Sequence, residues 1–145
     1  MELMRLWRLF LISAFSIACL AESPKASDSS SAVIRGKLTQ RDGKPPALET
    51  GAHKLITLDG DKSTLGVLND KRLANADLEA KGRFSPAGVF MVDPIHTHAM
   101  FVHKDGNKLA ITYWCDLCSI RTYTPGLCLC CQRETDLDLR DPSKE

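Results

Sequence analysis

The stretch from Tyr113 to Leu139, YWCDLCSIRTYTPGLCLCCQRETDLDL, constrains this chain more than any other. It holds five of the six cysteines, and four of them fall into two pairs. Cys115 and Cys118 make one C-x-x-C. Cys128 and Cys131 make a second, with nine residues between the pairs and Cys130 extra inside the second. Thiolates so spaced on a tight turn grip one side of a tetrahedral ion, and two such turns close the shell. Pro125-Gly126 places a turn just before the second pair. Cys115, Cys118, Cys128 and Cys131 are therefore the candidate metal ligands.

Three chemistries fit these residues. A closed shell of four sulfurs suits a structural Zn2+ and leaves no open position for reaction. Soft thiolates also suit Cu+, in a sensor, carrier or buffer with Cys130 as an alternative ligand. In an oxidising compartment the cysteines could instead form disulfides, or a thiol-disulfide exchange pair. No βαβ pattern surrounds either pair, which argues against a thioredoxin-like arrangement. Pairing the five cysteines beyond Cys19 would strand one thiol, whereas four ligands and a spare account for all of them.

The segment resembles the short heavy-metal-binding domain of copper and silver efflux proteins and metal-pumping ATPases. That domain reads Y-x-C-x-x-H-P, then P-G-x-C-P-x-C-G-M-x-L. Tyr113, Cys115 and Cys118 match its first half, with Cys118 in the place of the histidine. Pro125, Gly126, Cys128 and Cys131 match its second half, and Leu137 stands near its closing leucine. Leu129 replaces the proline, and Gln132-Arg133 replaces the Gly-Met. The likeness covers under a fifth of the chain. It implies a small zinc-ribbon-like metal knuckle and does not select copper.

Residues 1–21 read as an export signal, with Arg5 and Arg8 before an apolar run from Leu9 to Ile17. The run is too short to span a bilayer comfortably. Cleavage after Ala18 or Ala21 suits a signal peptidase, and Cys19 is an alternative lipid-anchored cysteine. Removing this segment takes away Arg5, Arg8 and Glu2, leaving 17 basic against 17 acidic residues. Such a balance gives no electrostatic footprint for nucleic acid or an anionic membrane. The expected setting is periplasmic or secreted, with membrane contact only through a lipid on Cys19 and with another envelope protein as an open partner. Residues 22–31 are small and polar and read as a flexible leader.

The middle of the chain predicts strands. Val33 to Gln40 alternates, and Asp42 to Pro46 closes it as a loop. His53 to Leu58, Ser63 to Leu68, Ala76 to Phe84 and Gly88 to Val92 are further expected strands, with a short helical turn over Asn69 to Asn75. In Ala76 to Phe84, apolar or small residues alternate strictly with Asp77, Glu79, Lys81 and Arg83, so one face is wet and one buried. Five short strands, and a glycine late in the fourth, resemble an OB-fold, especially those of small exported bacterial proteins. Ala99 to His103 and Lys108 to Trp114 form a hairpin around Asp105-Gly106 that runs straight into Cys115. Leu137 and Leu139 alternate with acids, which predicts a closing strand.

The expected fold is all-β: an OB-like barrel over 32–106, a hairpin with a zinc-ribbon-like four-cysteine knuckle over 107–140, and a polar tail over 141–145. His96 and His98 would share a face on an extended segment, but no third ligand is spaced to join them, and they read as polar residues near a loop. Asp59, Asp61, Asp70 and Asp93 read as turn chemistry. No nucleophile elbow, phosphate loop or H-E-x-x-H is present. The expectation is a non-enzymatic, exported metal-binding protein holding Zn2+ or Cu+, with a thiol-disulfide protein of the cell envelope as the alternative.

Overall fold

The computed structural model describes residues 30–144. The expected export signal and most of the expected leader lie outside the described residues.

Five strands close on themselves. They are β1 (Ala32–Thr39), β2 (Ala47–Glu49), β3 (Leu55–Asp59), β4 (Asp77–Phe84) and β5 (Phe90–Val92). Each pairs antiparallel with its neighbour around the ring β1-β2-β3-β5-β4-β1, except that β3 and β5 run parallel. Helix α1 (Lys62–Leu68) and a 3₁₀ turn (Lys71–Leu73) fill the connection from β3 to β4. This is the order of an OB-fold barrel, and closure leaves the ring without a free edge.

The expected third strand, Ser63 to Leu68, is helical instead. Asp61 caps it, its carboxylate accepting the Thr64 N–H at 2.7 Å. The buried residues are Thr64, Val67 and Leu68, a stripe at i, i+3 and i+4. The spacing of Leu65 and Val67 by two mimics a strand, while the buried polar Thr64 hides the helical period. The barrel still has five strands, because β2 supplies the one not anticipated. It is three residues long and carries a single buried side chain, Leu48, too little for alternation to register.

Two glycines allow the ring to close. A Cβ on Gly36 would meet the Glu49 carbonyl of β2, and one on Gly82 would meet the Met91 carbonyl of β5. Gly82 stands where β4 changes neighbours on one edge. Asp77–Ala80 pair with β6 (Met100–Lys104), and Gly82–Phe84 pair with β5. Gly82→Val should therefore lower stability by about 1–3 kcal/mol, read as a lower midpoint in denaturant unfolding. An unchanged midpoint would show that the strands move apart at no cost.

From β6 the sheet leaves the barrel. A two-residue turn, with φ of 51° at Asp105 and 77° at Gly106, leads into β7 (Asn107–Cys115). β7 has neighbours on both edges. β6 and then β8 (Ile120–Thr122) follow one another along one, and β9 (Asp136–Arg140) runs along the other. β9 is the closing strand that Leu137 and Leu139 predicted, and a 3₁₀ turn (Pro142–Lys144) follows it. Ile111 and Tyr113 of β7 join the same buried cluster as Leu38, Leu58, Leu78 and Phe90 of the barrel, and Leu137 and Leu139 pack against that cluster. One continuous core thus reaches from the ring to the strand that carries the first cysteine.

Candidate metal centre

Cys115 ends β7 and lies opposite Ile120, the first residue of β8. The first C-x-x-C is thus the turn of the β7–β8 hairpin. The second forms a smaller hairpin of its own. Leu127 bridges Glu134, the Cys128 N–H donates to the Arg133 carbonyl at 2.7 Å, and the Gln132 N–H donates to the Cys128 carbonyl at 3.0 Å. In each turn the leading cysteine sits opposite the residue five further on. In each, the residue after the trailing cysteine has left-handed backbone, with φ of 52° at Ser119 and 59° at Gln132. The side-chain amide of Gln132 donates to the carbonyls of Cys128 and Leu129 at 3.2 and 3.3 Å, which ties down the turn it ends.

The backbone donors repeat as well. Cys115 Sγ takes hydrogen bonds from the N–H groups of Cys118 and Leu117, and Cys128 Sγ takes them from Cys131 and Cys130. Such bonds favour thiolate over thiol. At Cys128 they prevail and lower the thiol to about 7. At Cys115 the Cys118 N–H acts in the same direction, but burial and the adjacent Cys131 and Cys128 thiols outweigh it, and the net shift is upward. The Cys130 and Cys131 thiols beside Cys118 push it up strongly. A bound dication would favour thiolate at all four positions.

The sulfurs of Cys115, Cys118, Cys128 and Cys131 all lie within 4.8 Å of one another. All five cysteines among the described residues are free, and the Cys115 and Cys131 sulfurs are 3.5 Å apart. A tetrahedral shell with Zn–S near 2.3 Å has sulfurs about 3.8 Å apart, so a small contraction would close this set around an ion. Cys115 and Cys128 are buried, at 3% and 0% exposure, while Cys118 and Cys131 are half-buried and Cys130 is exposed. The donor set, its dimensions and the N–H bonds to sulfur all fit a thiophilic metal ion.

Three contacts hold the second hairpin against the barrel. His96, at the start of the short helix α2 (His96–Ala99), is buried, and its Nε2 lies 2.7 Å from the Tyr123 carbonyl oxygen. Arg72 donates through Nη1 to the Thr135 carbonyl at 2.6 Å. Pro125 packs over Gly66 of α1, where a Cβ would meet its Cδ at 4.0 Å. Asp70 aims Arg72, its carboxylate accepting from Nε at 3.0 Å and Nη2 at 2.9 Å. The guanidinium lies 5.2 Å from the centre of the Tyr113 ring. The Tyr113 hydroxyl sits beside the Asp70 carboxylate without a hydrogen bond of good geometry. Burial first, and then the Asp70 charge, push that phenol upward. Thr135, itself buried, donates through Oγ1 to the Gly126 carbonyl at 2.9 Å.

The remaining sequence candidates fall outside the centre. On α2 the two histidines diverge, with His96 buried and His98 exposed. Asp59 accepts the Gly60 N–H, Asp61 caps α1, and Asp70 caps the 3₁₀ turn as well as binding Arg72. Trp114 lies under the Arg121 guanidinium, 5.1 Å from its ring centre, opposite it across β7 and β8. The contributions of Arg72 and Thr135 escape the sequence, because they depend on a tertiary contact between residues far apart in the chain. No family model matches the chain, and no curated protein or solved structure matches it either.

Proposed function

We propose that this chain is an exported, non-enzymatic metal protein in which Cys115, Cys118, Cys128 and Cys131 bind one Zn2+. The barrel is its scaffold, and the knuckle serves metal handling in the cell envelope or presents a rigid surface to another envelope protein. The carrying observation is the convergence of four sulfurs within 4.8 Å on two turns that repeat each other's backbone pattern. Four thiolates in a closed set are the pattern of structural zinc. The resemblance to heavy-metal-binding domains supports the same reading, and Gln132 adopts the left-handed backbone where those domains carry glycine. Export rests on Arg5, Arg8 and the apolar run from Leu9 to Ile17.

Elemental analysis tests this on protein purified without added metal or chelator, with thiols counted on the same sample. One zinc per chain and four protected thiols is the expected result. Copper at the same stoichiometry would favour a soft-metal carrier over a structural site. Metal-free protein with two disulfides would overturn the reading in favour of thiol-disulfide chemistry.

A further inference from the structure

Among the described residues, β9 pairs with β7 on one edge and with no strand on the other. An open edge presents unpaired N–H and C=O groups to any strand that can reach it. Proteins blunt such edges with very short strands, prolines, bulges or charges. β9 carries only charges. It runs five residues, Asp136–Arg140, without proline, glycine or left-handed backbone. Leu137 and Leu139 pack against the core yet stay half-buried, so the apolar layer is not fully covered at this edge. Asp136, Asp138 and Arg140 alternate with them and share the opposite face. Asp138 accepts from Arg140 Nε at 2.8 Å and from Arg121 Nη2 at 3.3 Å. Asp136 is exposed, and its side chain enters no hydrogen bond or ion pair among the described residues; nor do the two Nη groups of Arg140.

We propose that this edge is a dimer interface whose occupant is β9 of a second copy, antiparallel and in register about Asp138. That register uses the whole strand. Asp136 meets Arg140 of the second copy, Leu137 meets its Leu139, and both pairs repeat across the two-fold axis. The charges left unpaired in one chain thus find opposite charges in the other. A parallel in-register pair would set every charge against its own kind. Antiparallel pairing about Leu139 would leave Asp136 unpaired and use only Asp138 to Arg140. The one like pair, Asp138 with Asp138, lies on the axis, where each carboxylate already has two guanidiniums of its own chain. The sheet would run from β7 and β9 of one copy into β9 and β7 of the other. Trp114, next to Cys115, lies opposite Asp136, so the antiparallel pair sets the two cysteine clusters at opposite ends of the shared ladder. The inference stands on the strand edge and does not depend on the metal reading.

Analytical ultracentrifugation over a concentration series tests it, on purified protein kept reduced so that the exposed Cys130 cannot cross-link copies. Wild type should be a concentration-dependent dimer. Asp136→Arg and Arg140→Asp each turn two attractive cross-strand pairs into repulsive ones, and each should weaken the dimer about tenfold or more. An equimolar mixture of the two variants restores opposite charges at both pairs and should dimerise like wild type. A wild type that stays monomeric throughout would overturn the proposal. So would wild-type affinity in both single variants, which would put the contact elsewhere, and so would a mixture that stays monomeric. A measurement on wild type alone avoids any folding defect in the variants. Amide exchange at residues 136–140 should slow as concentration rises, while that of β8, also paired on one edge only, stays unchanged. Exchange independent of concentration in β9 would count against the interface as decisively.

Discussion

Cys128→Ser should empty the centre and loosen residues 116–135 while the barrel stays folded. Cys128 is the most buried of the four cysteines, and the Cys131 and Cys130 N–H groups lower its thiol to about 7. Its loss removes a ligand that neither water nor Cys130, on the exposed side, can replace. The fall in metal affinity should exceed the roughly 10–100-fold that losing an outer hydrogen bond to a ligand costs. Without an ion, the second hairpin itself keeps one bridge, Leu127 to Glu134, and a few backbone and Gln132 side-chain bonds, and the contacts to the barrel described above fall on its flanks, at Tyr123, Pro125 and Thr135. The buried apolar cluster contains no cysteine, so its largest source of stability is untouched. Amide hydrogen exchange would separate the two regions. Fast exchange at residues 116–135 with slow exchange retained in β1, β4 and β6 is expected. Loss of protection throughout would mean that metal and barrel fold as one cooperative unit.

Asp70→Asn should weaken the joint between hairpin and barrel by about 1–3 kcal/mol, the range for a lost bond to a charged group. Burial raises the Asp70 carboxyl, but the side-chain and backbone bonds from Arg72 outweigh it and hold it below its usual range. Without that carboxylate, Arg72 is no longer aimed at the Thr135 carbonyl. The depressed folded value fixes the sign with pH. The stabilisation is complete above the ordinary aspartate value of about 3.9 and is lost as pH falls through the lower folded one. The gap between wild type and variant in chemical unfolding should therefore be widest near neutrality and shrink in strong acid. Acid strips a thiolate-bound ion from both proteins, so the comparison is made between them at each pH. A gap that stayed constant would assign the effect to packing rather than charge.

How far the sequence disclosed this architecture depended on how local each signal was. The clustering of four cysteines was legible because Cys115–Cys118 and Cys128–Cys131 each complete their turn within four residues. β4 was legible because one face is wet, so Asp77, Glu79, Lys81 and Arg83 mark its period. The β6–β7 turn was legible because Asp105-Gly106 suits two left-handed residues. β2 and β8 were not, since each is three residues long and, unlike β5, buries at most one side chain. α1 was misread because its buried stripe begins with a threonine. His96 and His98 were read as polar residues near a loop; they lie on a short helix, little more than half a turn apart, and only His96 is buried, against the Tyr123 carbonyl. The joint from Asp70 and Arg72 to Thr135 joins residues 63 apart, and nothing in either neighbourhood announces it.

β7 has a further consequence for which changes in chain length the protein tolerates. Side chains alternate along a strand, so Ile111, Tyr113 and Cys115 project from the same face. Two of them fill the core and the third faces the metal centre. A single-residue insertion or deletion between Tyr113 and Cys115 would leave the composition almost unchanged but turn the sulfur to the opposite side. A change of two residues would restore the side but carry the thiol about 7 Å along the strand, well beyond the reach of the other three. The ligand is thus placed by parity and by count together. Lineages of such a chain should vary freely in the exposed loop over Asp42–Pro45, while the interval from Tyr113 to Cys115 keeps a fixed length.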